Sequence, residues 1–229
     1  MKKLFIAGAT GRTGRHLCQL AALSGFQTIA ALRDPRSATD LPGSPLCVAA
    51  DLLQPEQVDA ALRETSPDAV ICTVGGRGNS DADSDGVMTL VDACRRNNVR
   101  RAVLVTSLGC GDSRNYASAK LLEAIGHVLD AKTRGERHLA TSGLDWTIVR
   151  PGGLLDQPAN GKGTLFDDPR VHGRITCGDL ASLLIGLVGQ ASAIGSTLSA
   201  VDTLTLSGPD DPRIFAAEKA TISHAAIHE

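Results

Sequence analysis

The sequence predicts an α/β fold, a doubly wound parallel sheet covered by helices on both faces. Three observations predict it. Short, almost continuous apolar runs alternate with helical patterns along the 229 residues, as strands buried on both faces do. The helical patterns between the runs supply the crossovers that parallel neighbours require, and right-handed crossovers wind the sheet outward in both directions. No linker rich in Pro, Gly or Ser divides the chain, so residues 1–229 read as a single domain.

The run KLFIAG, Lys3 to Gly8, is a buried first strand. RTGRHLCQLAALSG follows as a helix, with Leu17, Leu20 and Ala21 in helical spacing and a glycine stop at Gly25. QTIAAL is the second strand and LCVAAD the third. QPEQVDAALRE carries Pro55 near its first turn, where a missing N–H costs nothing, and reads as a helix. DAVICTVGG is the fourth strand. SDGVMTLVDACRRNN is a helix with Val87, Leu90, Val91 and Cys94 on one face, and RRAVLVTS is the fifth strand. A long helical region runs through YASAKLLEAIGHVLDAKTRGERHLATSG, and LDWTIVRPGG is the sixth strand, ended by a proline turn. The longest irregular segment, about residues 152–174, lies where such folds place a small substrate-covering region. ITCGDLASLLIGLVGQ is a helix whose start, Thr176 to Asp179, resembles a capping box with Asp in place of Glu. STLSAVDTLTLSG holds one or two late strands, and the tail, about 209–229, is polar and weakly patterned.

Hydrophobic residues make up 42% of the chain and aromatic residues 3%, with a formal charge of −2. Such a chain fills a sizeable core. It offers no basic field for nucleic acid and no aromatic platforms for stacked bases. The N-terminal apolar run breaks at glycine too soon for a secretory signal, and no stretch approaches the roughly 18 apolar residues of a membrane span. The expectations are a cytoplasmic protein, monomer or homodimer, whose partner is a small molecule and neither nucleic acid nor membrane. The six cysteines stand far apart without a Cys-x-x-Cys pair, and the histidines show no metal spacing. Buried reduced thiols and no metal are expected. Cys110 stands apart because it lies in the glycine-rich SLGCGDS.

The stretch GATGRTG places Gly8, Gly11 and Gly14 between the first strand and its helix. Glycines let the backbone turn sharply and approach a phosphate, and the helix N-terminus offers unpaired N–H groups and partial positive charge. The spacing is G-x-x-G-x-x-G, so its context carries the reading: a strand before, a helix after. The second strand ends in AALRDPR. Arg33 follows the strand directly, and Arg12 lies in the glycine loop. Two guanidiniums converging on one pocket suit a 2′-phosphate, so NADP is the expected cofactor. In the alternative, Arg33 is a solvated surface residue and Asp34 binds the ribose of NAD. Asp51 and Leu52, after the third strand, stand where they would flank the adenine; Asp51 also reads as a helix N-cap.

GATGRTG, VTSLGCGDS after the fifth strand and SGLDWTIVRPGGL at the sixth resemble the atypical short-chain dehydrogenase/reductases. Within them the chain is most similar to the NAD(P)H-binding group of NmrA-like proteins and biliverdin-IXβ (flavin) reductases. The resemblance covers about residues 1–205. It implies a Rossmann-type fold, an NADP cofactor and a substrate cleft over the carboxyl ends of the strands. It also implies that Gly8, Thr10, Gly11, Arg12, Thr13 and Gly14 form the phosphate loop. Arg33 is then the adenosine-phosphate arginine, with Asp51 and Leu52 at the adenine. Thr73, Val74 and Gly75 pass under the cofactor, Ser107 ends the fifth strand, and Pro151 and Gly152 turn beside the nicotinamide.

Members of that group that reduce carbonyls carry a Tyr-x-x-x-Lys pair on one helix face, the tyrosine donating a proton and the lysine holding ribose. Tyr116 and Lys120 in YASAK fit the letters. The geometry favours another lysine. The sixth strand climbs roughly 20 Å. A helix ending near Ala140 puts Lys132 about 12 Å above its foot and Lys120 about 30 Å, beyond the sheet if the helix is unbroken. The segment around Lys132 also resembles the family's lysine segment. Four residues before Lys132 stands Val128, which has no proton to give, and His127 points elsewhere. The proton then comes from Tyr116 folded back over the cleft, or from water or an acidic substrate, or there is no chemistry. Ser107 either binds substrate or closes its turn. Arg77, Trp146 and Phe166 are weaker candidates for a ligand contact, a core position and a lid.

The expected function is an NADPH-dependent reductase of a small conjugated or planar substrate, of flavin, quinone, tetrapyrrole or enone type. The alternatives are a non-catalytic NADP sensor of NmrA type, and an epimerase or dehydratase on the same scaffold.

Overall fold

Successive side chains of β1 (Lys3–Ala7) leave the strand on opposite faces. Leu4 and Ile6 join an apolar cluster with Leu17 and Ala21 of α1 (Arg12–Leu23) and Leu180 and Leu184 of α5 (Cys177–Gly189). Phe5 and Ala7 join a second cluster with Val58 and Leu62 of α2 (Pro55–Thr65) and Leu90 and Cys94 of α3 (Val87–Arg96). The strand is buried on both sides, which is why it reads as one unbroken apolar run.

A computed structural model describes residues 1–37, 40–75 and 81–217. Besides β1 the strands are β2 (Gln27–Leu32), β3 (Leu46–Ala49), β4 (Ala69–Cys72), β5 (Arg101–Val105), β6 (Asp145–Pro151), β7 (Gly153–Leu155), β8 (Gly163–Phe166), β9 (Arg174–Thr176), β10 (Ser196–Asp202) and β11 (Ile214–Phe215). Among the described residues nine of them form one sheet in the order β11-β8-β10-β6-β5-β4-β1-β2-β3. The strands from β3 through β10 run parallel, while β8 and β11 are antiparallel additions at the far edge. The chain winds from β1 to β2 and β3, then returns to β4 and winds the other way. The reversal lies between β1 and β4, where sheets of this kind place a ligand beyond the carboxyl ends of the strands. This is the Rossmann-type doubly wound fold that the sequence predicts.

The segment 152–174 is more ordered than its composition suggests. β7 pairs with β9 in a small parallel sheet, and β8 adds to β10 with Leu165 opposite Ala200. Strands of three or four residues are too short to show a period. Phe166, a candidate lid residue in the sequence, is instead buried against Leu108, Val171 and Val201. The long helical region divides. Residues Gly111–Tyr116 form a 3₁₀ stretch, and α4 (Ala119–Ala140) begins at Ser118, whose hydroxyl accepts from Leu121 N at 3.2 Å. α4 breaks at Ile125 (φ −136°, ψ 16°). In the late region, β10 takes the place beside β6, and β11 follows Pro209. Among the described residues no helix is long and apolar enough to cross a membrane.

Candidate dinucleotide-binding site

The loop after β1 closes on itself through Gly11 N, which donates to Gly8 O at 3.0 Å. Gly8 sits at φ +88°, and a Cβ there would stand 2.8 Å from Thr73 Oγ1 and 3.0 Å from the Thr73 carbonyl carbon. A Cβ at Gly14 would be driven into the Gly8 carbonyl oxygen. Glycine is therefore required at both positions, by backbone conformation at one and by close approach of α1 at the other. Gly11 caps α1 without a side-chain hydrogen bond, and the first turn holds no acidic residue. The orphan N–H groups of that turn stay available to an anion. Thr10 and Arg12 are exposed beside it and Thr13 is buried. Thr73 donates its hydroxyl to Ala7 O at 3.2 Å, tying the end of β4 to the loop across the switch point. The residues present fit a dinucleotide: a cradle that any Cβ would fill and an uncapped helix N-terminus with no acidic residue in its first turn.

Arg33 follows β2 and is exposed. Asp34 faces Arg36: its carboxylate accepts from Arg36 N at 3.0 Å and Arg36 Nε at 3.0 Å. That guanidinium holds the Asp34 carboxyl below its ordinary range. Asp51 does not cap α2; the cap position is Gln54. Asp51 instead accepts from Leu53 N at 3.0 Å and closes a local turn. Leu52 is buried.

Beyond β4, Thr73 and Val74 are half-buried and Gly75 is exposed. Lys132 of α4 reaches this point. Its Nζ donates to Val74 O at 3.4 Å and to Asp83 Oδ1 at 2.6 Å. The Lys132 side chain is 12% exposed and that of Asp83 0%. Lys120 lies exposed on the first turn of α4 and Tyr116 is 46% exposed at the end of the 3₁₀ stretch. Val128, one turn before Lys132, is half-buried. Ser107 donates to Leu108 O at 2.9 Å, and its own carbonyl accepts from Cys110 N at 3.2 Å, so it shapes the turn after β5. Pro151 is buried at the end of β6, and a Cβ on Gly152 would be driven into Gly173 O. Cys110 is fully buried, its thiol directed at Leu129 O at 3.7 Å and pushed up to about 11, first by burial and then by Glu136. Trp146 is half-buried against the second core cluster. Arg77 lies outside the described residues.

A buried ionic network beneath these turns carries no mark in the sequence. Arg150 of β6 donates from Nε and Nη2 to the two oxygens of Glu136, at 2.9 and 2.8 Å. Thr106 donates to the same carboxylate at 2.6 Å, and Arg150 Nη1 pairs with Asp112. These charge-assisted bonds hold the guanidinium firmly protonated, its pKa raised against the effect of burial. Gly111 (φ +51°) has no room for a Cβ against Arg150 Nη2, and its N–H donates to Thr133 Oγ1 at 3.0 Å. Arg150, Glu136, Asp112 and Thr133 thus lock α4 and the Ser107–Gly111 turn onto β6. Each bond spans 14 or more residues, so no local period announces it.

The family model described as NAD(P)H-binding matches residues 8–191. An uncharacterised chloroplastic protein of Arabidopsis thaliana is 37% identical over 174 residues, which is 70% of this chain and 62% of that protein's length. A Bacillus subtilis protein described as an uncharacterised sugar epimerase is 28% identical, over 82% of this chain and 88% of its own. Among solved structures, ChuY, described as an anaerobillin reductase from Escherichia coli O157:H7, superposes with a TM-score of 0.81 at 30% identity, covering 88% of this chain and 98% of that one. The structural neighbours are reductase- and epimerase-like proteins, and an atypical short-chain dehydrogenase/reductase group fits. With the glycine cradle at the switch point and a family match over most of its length, the chain belongs to the NAD(P)H-binding family.

Proposed function

We propose that the chain is an NADPH-dependent reductase of a small conjugated or planar substrate. The observation that carries this reading is the half-buried ammonium of Lys132, held at the end of β4 beside an uncapped glycine cradle. Gly8, Gly11, Gly14, Thr10 and Thr13 would receive the pyrophosphate, with Arg12 and Arg33 at the adenosine 2′-phosphate. Asp34 is engaged by Arg36, which favours NADP over NAD at the end of β2. Asp51 and Leu52 would flank the adenine. Thr73, Val74, Gly75, Pro151 and Gly152 would line the floor and far wall, and Lys132 would bind the nicotinamide ribose. Bound there, the dinucleotide supplies hydride. Ser107 is placed to bind or orient substrate, the segment 152–174 covers its side of the cleft, and Tyr116 or water supplies the proton. ChuY, described as a reductase, supports the reaction class.

A second reading, an NADP-binding sensor, is favoured by one observation: Val128 occupies the face where a proton-donating tyrosine would stand. The epimerase description of the Bacillus relative names a third outcome. NADPH oxidation measured against flavin, quinone, tetrapyrrole and enone acceptors separates them. Turnover with at least one acceptor is expected, and tight NADP binding with no turnover on any would select the sensor. In the same assays R33A is expected to weaken NADPH by about tenfold or more and NADH little. Equal losses would remove the NADP preference.

A further inference from the structure

Asp83 lies in a π-helical turn, Ala82–Gly86, that leads into α3. A fully buried carboxylate beside a site for an anionic ligand is unfavourable unless a cation neutralises it. Two glycines bring that cation to it. A Cβ on Gly86 would stand 3.0 Å from Leu52 Cβ, and one on Gly135 would stand 3.1 Å from both Asp83 O and Val87 Cγ1. Their absence lets the turn slot between Leu52 and α4. Lys132, just under one helical turn before Gly135, then meets Asp83 at 2.6 Å. Asp83 and Val74 take two of the three ammonium hydrogens. The ammonium also lies 3.9 Å from where a Cβ of Gly75 would be, directly over the end of β4.

We propose that Asp83 sets the redox-form preference of the dinucleotide site by cancelling the charge of Lys132. A nicotinamide ring is cationic when oxidised and neutral when reduced. An unpaired lysine beside it would repel the oxidised form; the Asp83–Lys132 pair carries no net charge and repels neither. Asp83 is thus a positioning and charge-setting residue that acts through Lys132. The inference rests on reading the crevice as a dinucleotide site with the nicotinamide end near β4.

The test is direct titration of the whole protein with NADP⁺ and with NADPH, read by calorimetry, so that no turnover is needed. D83N leaves the ammonium uncompensated and is expected to raise the ratio Kd(NADP⁺)/Kd(NADPH) about tenfold. D83N/K132M removes both charges. It is expected to return the ratio to within about twofold of the wild type while weakening both forms together. A D83N ratio equal to that of the wild type overturns the proposal. So does a double variant whose ratio falls about tenfold below the wild type, because Lys132 would then act with its full charge despite Asp83. Should D83N fail to fold, the double variant still tests the proposal, since a ratio about tenfold below the wild type overturns it. Wild-type protein that binds neither dinucleotide would instead remove the site reading, an outcome distinct from an unchanged ratio.

Discussion

Arg150 brings a full positive charge into the sheet, and Glu136 meets it with both oxygens while also accepting from Thr106. A glutamine at position 136 would turn an amide N–H₂ toward guanidinium donors and leave the buried charge with only Asp112. Breaking one side of such a pair costs about 3–5 kcal/mol. E136Q is therefore expected to lower Tm by about 10 °C, measured by thermal melting. R150M/E136L, which removes both charges and keeps the volume, should lose clearly less. Equal losses in the two variants would mean that shape, not charge, holds the network. At this scale the glycines are legible in the sequence, because a positive φ or a close approach admits no other residue, as at Gly8 and Gly14. The placing of Lys132 near the strand ends follows from helix rise set against strand rise, with the resemblance to the family's lysine segment beside it. Asp83 and Glu136 do not: each looks like an ordinary helix charge until a partner 49 or 14 residues away is known.

Among the elements, α5 shows how a local signal can be right in form and wrong in partner. Thr176 does cap the helix, accepting from Asp179 N at 3.0 Å. The Asp179 carboxylate turns back to the hydroxyl of the Thr176 cap and, instead of the cap's backbone N–H, takes donors from a distant loop. It accepts from Asn160 N at 3.0 Å, Gly161 N at 2.9 Å and the Thr176 hydroxyl at 2.7 Å. Asn160 in turn donates its side-chain N–H to buried Asp202 at 2.5 Å. Asn160 and Gly161 pin the loop between β7 and β8 to the first turn of α5, and the Asn160 side chain pins it to the end of β10. Truncation in N160A leaves a buried carboxylate oxygen of Asp202 short of a donor, at a cost of about 1–3 kcal/mol. The loop should then open locally, and trypsin should cut after Lys162 several times faster than in the wild type, as followed by mass spectrometry. Unchanged cleavage would show that the short strands and the backbone bonds to Asp179 hold the loop without the Asn160 side chain. The sequence places the capping box because its signal spans four residues; it cannot place the loop, whose anchors lie 18 to 42 residues away.

Across the whole molecule, the alternation of apolar runs underlies the parallel sheet and its switch point: α1, α2, α3 and α4 supply the crossovers to β2, β4, β5 and β6, while the described residues between β2 and β3 hold only a short 3₁₀ turn. The same burial has a consequence for stability against pH. Cys18, Cys72, Cys94 and Cys110 are buried in the two faces of that sheet and under the turn after β5. Burial raises their thiols from an ordinary 9.0 to about 11, 11, 12 and 11. Between those values the folded protein keeps protons that the unfolded chain releases, so their contribution is whole below pH 9 and is lost as pH rises toward 11. Each such thiol removes up to about 1.4 kcal/mol per pH unit across that window. Arg101, whose burial lowers its guanidinium to about 10, acts in the opposite direction only above that pH. Against a typical stability of about 5–15 kcal/mol, several such thiols lower the stability markedly as pH rises above 9. Urea unfolding under reducing conditions is expected to give a level free energy up to about pH 8.5 and a steep fall between pH 9 and 10. C94A should reduce that slope by about one proton, with its cavity cost appearing as a constant offset at every pH. A slope that C94A leaves untouched would show that the buried thiols do not govern the alkaline limit.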